Sequence, residues 1–211
     1  MTRPTLWTST FTSGSIAHQA AMVSGVPVEV RFVSLRAGDT RTPEYLAINP
    51  KGEVPALQLP DGTVITEIPA ILFWLAESAP DSGLLPSGAA ARAKAMEWIA
   101  WCHWTMGRNF NPAFAPARMA GAEGAAADAV RAAALERVRK DFAFAEAALV
   151  KGQGTLVGTA LPCAPDIFLG ALIAFAGFLK IDLAPYPTLT ALQARVQAMP
   201  GVAAAVAREK A

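Results

Sequence analysis

The stretch NPKGEVPALQLPDGTVITEIPAILFWLAESAP, Asn49 to Pro80, decides the fold. VPALQL and TVIT flank PDG, the signal of a hairpin between antiparallel strands. EIPAILFWLAESAP then repeats apolar residues at helical spacing (Ile68, Ile71, Leu72, Leu75), and Pro69 is tolerated in a first helical turn. Working back from Asn49, TPEYLAINP predicts a short helical turn stopped by Pro50, and VPVEVRFVSL, from Val26, alternates like a strand. Ser15 to Ser24 predicts a helix ending at Gly25, and TLWTS at residues 5–9 a first short strand. The order is β-α-β, a short helix, then β-β-α.

Working forward, PDSGLLPSGAA is rich in Pro, Gly and Ser and reads as a linker. Beyond it no strand pattern appears. Helices are predicted at 90–109, 125–150, 165–180 and 188–197, with a last short one near 201–208. The expected organisation is an α/β domain at 1–80, a linker at 81–90 and an all-α domain at 91–211. A chain of 211 residues is long enough for either one large core or two small ones.

Composition excludes several classes. Eighteen basic and 17 acidic residues leave a net charge of +1 with no basic stripe, which argues against nucleic acid. Hydrophobic residues reach 53% and mean hydropathy is +0.33. The longest apolar run, Ile167 to Leu179, is shorter than the roughly 20 residues of a membrane span. Asp166 and Lys180 bracket it, so it predicts a buried core helix and no membrane contact. MTRPTLWTS lacks the apolar region of a signal peptide. Cys102 and Cys163 stand far apart, which excludes a dithiol redox centre and suits a reducing cytoplasm. With His18 and His103 the only histidines, no metal site is expected.

The stretch TSTFTSGSIAHQAAM, Thr8 to Met22, has seven hydroxyl or glycine residues among its first eight. It reads as a strand end, a polar loop and a helix start, where α/β proteins often hold an anionic or thiol ligand. Ser13 either donates to a ligand's sulfur or caps the helix, and Ser15 shares the capping alternative. Asp166 reads as the capping-box residue of the buried helix, three residues after Cys163 where Ser or Thr is usual.

Taken together, the Asn-Pro-x-Gly-x-Val-Pro loop, the Asp-Gly hairpin and the Glu opening a helix resemble the N-terminal module of glutathione transferases. EWIAWCHWTMGRNFNPAF resembles the first long helix of the bacterial beta class, and LVGTALPCAPDIFLGAL its core helix. The resemblance implies a thioredoxin-like domain joined to an all-helical domain, a homodimer, and glutathione as co-substrate with no metal.

It also implies site residues. Glu53, Val54 and Pro55 match the cis-proline loop, where the backbone of Val54 would pair with the glutathione peptide. Glu67 and the N–H of Ile68 would receive the γ-glutamyl end; Ile68 stands where the family has Ser or Gly, so it brings a branched side chain and no hydroxyl. Arg36 and Lys51 are placed to meet the glycyl carboxylate. Ser13 falls at the characteristic cysteine of the beta class and Thr8 at its tyrosine, so Ser13 would stabilise the thiolate without forming a mixed disulfide. His18 matches a family histidine and reads as structural. Gly107 and Arg108 replace the family's His-Lys, and Trp104, Met106, Arg108 and Phe110 are candidates for the electrophile pocket. The implied activity is conjugation of the glutathione thiol to small apolar electrophiles. The alternative is a binding or interaction protein on the same fold, and disulfide chemistry is disfavoured because the site has no cysteine.

Overall fold

The hairpin around PDG forms and completes a four-stranded sheet. The computed structural model describes residues 3–210. Strands β1 (Thr5–Thr8), β2 (Glu29–Phe32), β3 (Ala56–Gln58) and β4 (Val64–Thr66) stand in the order β2-β1-β3-β4. β1 is parallel to β2, with Leu6 opposite Val30, and antiparallel to β3, with Leu6 opposite Leu57; β3 and β4 are antiparallel. A parallel pair needs a crossover, and helix α1 (Gly14–Ser24) supplies it. Gly25 ends α1 in the left-handed conformation, at φ 71°, as read from sequence. Helix α2 (Pro43–Ile48) is capped by Thr42, whose hydroxyl accepts from the Tyr45 N–H at 3.3 Å. Helix α3 (Ile68–Ser78) follows β4, and its predicted stripe of Ile68, Ile71, Leu72 and Leu75 is buried throughout.

The chain divides into two compact units. One runs to Leu85 and takes in the chain again from Gln197; the other is Pro86–Val196. The sequence reading placed everything from residue 91 onward in one helical domain, whereas the last helix, α10 (Pro200–Lys210), packs on α1. Two features of α10 explain this. A Cβ at Gly201 would stand 2.7 Å from the Val23 nitrogen, so only glycine admits so close a backbone approach. Val202, Ala205 and Glu209 form one buried stripe at helical spacing.

In the second unit a continuous helix spans residues 89–114 as α4 (Ala89–Ala100), a π-helical segment (Trp101–Met106) and α5 (Gly107–Phe114). It is followed by α6 (Pro116–Ala120), α7 (Ala125–Lys151), α8 (Ala164–Phe178) and α9 (Pro187–Gln197). The π segment changes the angular step, so Trp98, Trp101 and Trp104 do not share one face: Trp98 is buried and Trp104 is 66% exposed. α8 is the buried core helix. Asp166 accepts from the N–H of Cys163 at 2.9 Å and from that of Leu156 at 2.8 Å. The Cys163 side chain in turn accepts from the Asp166 N–H, so cysteine keeps the reciprocal contact expected of Ser or Thr, and its thiol donates to the Asp166 carboxylate at 3.4 Å. Glu146 of α7 accepts from the N–H groups of Thr188 and Leu189 at 2.9 and 2.8 Å, satisfying the first turn of α9. Among the described residues no helix is long and apolar enough to cross a membrane.

Candidate functional site

The loop between β1 and α1 is organised by a carboxylate that lies far away in sequence. Glu209 of α10 accepts from the Phe11 N–H at 3.1 Å, the Ser15 hydroxyl at 2.6 Å and Nδ1 of His18 at 2.9 Å. Burial pushes the Glu209 carboxyl up, but the bonds from His18, Ser15 and Phe11 outweigh it and hold its pKa below the ordinary glutamate value. His18 is fully buried and serves as a strut between α1 and α10, the structural role read from sequence. Within the loop, the Thr12 hydroxyl donates to the Ser9 carbonyl at 2.8 Å and accepts from the Gly14 N–H at 3.1 Å. Phe11 adopts φ 55°, a conformation that costs a bulky residue about 1–3 kcal/mol.

This geometry separates the two roles open to Ser13. Ser13 occupies the N-cap position in helical conformation and its side chain makes no capping bond. The first N–H groups of α1 are met instead by Thr12 and by main-chain carbonyls, Ser15 N to Thr12 O at 3.0 Å and Ile16 N to Ser13 O at 3.2 Å. Ser13 is exposed, whereas the Ser15 hydroxyl is committed to Glu209. Thr8 corrects the sequence reading. It is fully buried, and its hydroxyl lies against Gly14, in the space a Cβ there would need, so it does not face a ligand.

At the sheet edge beyond β2, Arg36 lines a cleft of about 500 Å³ with Ser9, Thr10, Thr12, Ser34 and Asp39. On the other side of β1, the Val54–Pro55 bond is cis. Tyr45 Oη and Asn49 Nδ2 both donate to the Glu53 carbonyl at 2.7 Å and hold this loop; the Glu53 side chain is exposed. Val54 precedes β3, and among the described residues its N–H and C=O make no backbone hydrogen bond.

At the opposite edge Glu67 is the N-cap of α3, with φ 67°. Lys51 donates to it at 2.6 Å and to Thr66 Oγ1 at 2.9 Å, so Lys51 stands at the β4 edge rather than with Arg36 at the β2 edge. The Ile68 side chain is 4% exposed and turned into the core, so it does not crowd a ligand. Pro69 has no N–H, which leaves those of Ile68 and Ala70 at the start of α3.

In the second unit, Met106 and Phe110 are core residues, Phe110 packing edge-on against Phe142, so neither lines an open pocket. Trp104 and Arg108 are exposed, the guanidinium carbon lying 5.8 Å from the indole centroid, a pair that suits a flat ring or a carboxylate. Cys102 and Cys163 are buried, and burial, reinforced by the charge of Asp166, pushes both thiols far up. Neither is a nucleophile at neutral pH. Among the described residues no cluster of three or more His, Cys, Asp or Glu is arranged to hold a metal ion.

A family model for the glutathione S-transferase N-terminal domain matches residues 16–78. A solved sphingomonad glutathione S-transferase complexed with glutathione is 30% identical, covers 98% of each chain and superposes with a TM-score of 0.86. The chain belongs to the glutathione transferase family. Glutathione S-transferase GstA of Escherichia coli is 42% identical over 92 residues, which is 43% of this chain and 44% of that one. The chain thus matches less than half the length of that relative. The glutathione transferase of Xylella fastidiosa is 27% identical over 99% of each chain, with a TM-score of 0.90.

Within this transferase fold, sequence reading missed Glu209. Two signals pointed to it: it shares the stripe of Val202 and Ala205, and a histidine on the apolar face of α1 needs a buried partner. The pairing of Lys51 with Glu67 had no local signal, because 16 residues separate them.

Proposed function

We propose that the chain binds glutathione across the first unit and conjugates its thiol to small apolar electrophiles. The carrying observation is Ser13, exposed at the start of α1 with a hydroxyl that caps nothing. The γ-glutamyl ammonium goes to Glu67 and its carboxylate to the N–H groups of Ile68 and Ala70, with Lys51 beside them. The cysteinyl peptide group pairs with the unengaged N–H and C=O of Val54. The glycyl carboxylate meets Arg36.

This threading brings the thiol to Ser13. A free thiol has a pKa of about 8.5, and the α1 dipole with a donated O–H lowers it. The thiol proton leaves to water. The thiolate forms a carbon–sulfur bond while a halide departs, or adds to an activated double bond. Because the site offers no reactive cysteine, cysteine-based disulfide exchange is not its chemistry. Two unpaired buried thiols support a reducing, cytoplasmic setting, and family membership supports a homodimer, which sedimentation tests.

The test is melting temperature with and without millimolar glutathione, together with turnover of a chloronitroarene. Glutathione at a hundred times its Kd stabilises by about 2.7 kcal/mol. No shift and no conjugate would refute the reading; a shift without conjugate would favour a glutathione-binding protein without turnover.

A further inference from the structure

The cleft beyond β2 holds more than the glutathione reading uses. It opens outside the carboxyl ends of the parallel pair β1 and β2, the crevice where open α/β sheets commonly take ligands. Its volume of about 500 Å³ lies in the ordinary range for small-molecule sites. A terminal glycyl group, a methylene and a carboxylate, fills a small part of it. Both walls are built without a ligand. After β1, the Thr12 hydroxyl closes the loop by donating to the Ser9 carbonyl at 2.8 Å. After β2, the Asp39 carboxylate accepts from the Ser34 N–H at 2.7 Å, and the Ser34 hydroxyl accepts from the Ala37 N–H at 3.1 Å.

Asp39 is the group that glutathione leaves unexplained. A carboxylate lining the cleft repels a glycyl carboxylate instead of holding it. The bond from Ser34 uses one of its about four acceptor sites, and among the described residues it forms no ion pair. Arg41 turns elsewhere, donating to the Lys51 carbonyl at 3.4 Å. Phe32 and Leu35, both exposed, give the same cleft an apolar wall. We infer that the cleft binds an aliphatic ammonium group joined to glutathione: its ligand is glutathione lengthened at the glycyl carboxyl by a lysine-like unit. The stem lies on Phe32 and Leu35, the ammonium meets Asp39, and the new carboxylate takes the glycyl one's place at Arg36. This rests on the glutathione reading above and extends it past the tripeptide.

The test is calorimetric titration of the full chain with glutathione and with two tetrapeptides, glutathione extended by lysine and by norleucine, which share a stem and differ in the ammonium. At low salt the lysyl peptide binds about three- to fivefold tighter than the norleucyl one, and high salt shrinks that preference. Asp39→Asn abolishes it. The amide oxygen still accepts from Ser34, so the variant's glutathione affinity stays within about twofold and its melting temperature holds. Equal binding of the two tetrapeptides by the wild type overturns the inference, as does a preference that survives Asp39→Asn or ignores salt. Tetrapeptides that bind more than about tenfold weaker than glutathione also overturn it, because the cleft then does not admit the extension. A wild-type chain that binds none of the three overturns the glutathione reading itself.

Discussion

Ser13→Ala separates activation from capping, because the two roles predict opposite pairs of results. A capping serine costs about 1 kcal/mol when removed, which for a chain of this size lowers Tm by about 2–4 °C. Ser13 makes no capping bond and is exposed, so its removal orphans no donor and should change stability by less than about 0.5 kcal/mol. A hydrogen bond to a charged group contributes about 1.5–3 kcal/mol, or roughly one to two units of thiol pKa. Taking about 1.5 units, the bound thiol rises from about 7 to about 8.5 in the variant. At pH 6.5 the thiolate fraction then falls about 24-fold. The more basic thiolate is about fivefold the better nucleophile, so kcat/KM falls only about fivefold. Above pH 9 both thiols are ionised and the variant equals or exceeds the wild type. The assay is kcat/KM against a chloronitroarene from pH 6 to 9.5, beside thermal melts without ligand. An unmoved profile midpoint, or a Tm loss above about 2 °C with activity intact, would refute the reasoning.

Further outcomes follow from the same contacts. Glu209→Gln should cost about 2–4 kcal/mol by chemical denaturation at pH 7, because it sets an amide against three donors. Since the folded pKa of Glu209 is lowered, its contribution is full above the ordinary glutamate range and disappears as pH falls through the folded value. The wild-type advantage should therefore shrink in acid. Gly201→Ala should lower stability by about 1–3 kcal/mol, as the added Cβ meets the Met22–Val23 backbone. Asp166→Ala orphans two buried N–H groups and should cost about 2–5 kcal/mol in the same assay.

Local periodicity carried most of the fold. The stripe Ile68, Ile71, Leu72 and Leu75, the PDG hairpin and the Gly25 stop all appear where their spacing placed them. The π segment was not legible, because six residues of WCHWTM carry no repeat that distinguishes one helical pitch from another. Burial of Thr8, Met106 and Phe110 was not legible either, since position in a motif fixes the backbone and not where a side chain turns. Lys51 shows the same limit for charge: a flexible cation goes to the nearest carboxylate, which the topology supplied from across the hairpin.

Glu209 lies 198 residues after Phe11, and the whole second unit is encoded between the parts of the first. During translation, at about 5–20 residues per second, the loop holding Ser13 waits roughly 10–40 s for its carboxylate. Through that interval the buried face of α1 and the donors of Phe11, Ser15 and His18 stand open at the ribosome. The loop made before the second unit is therefore the loop that matures after it, and chaperones have the length of the second unit in which to meet it.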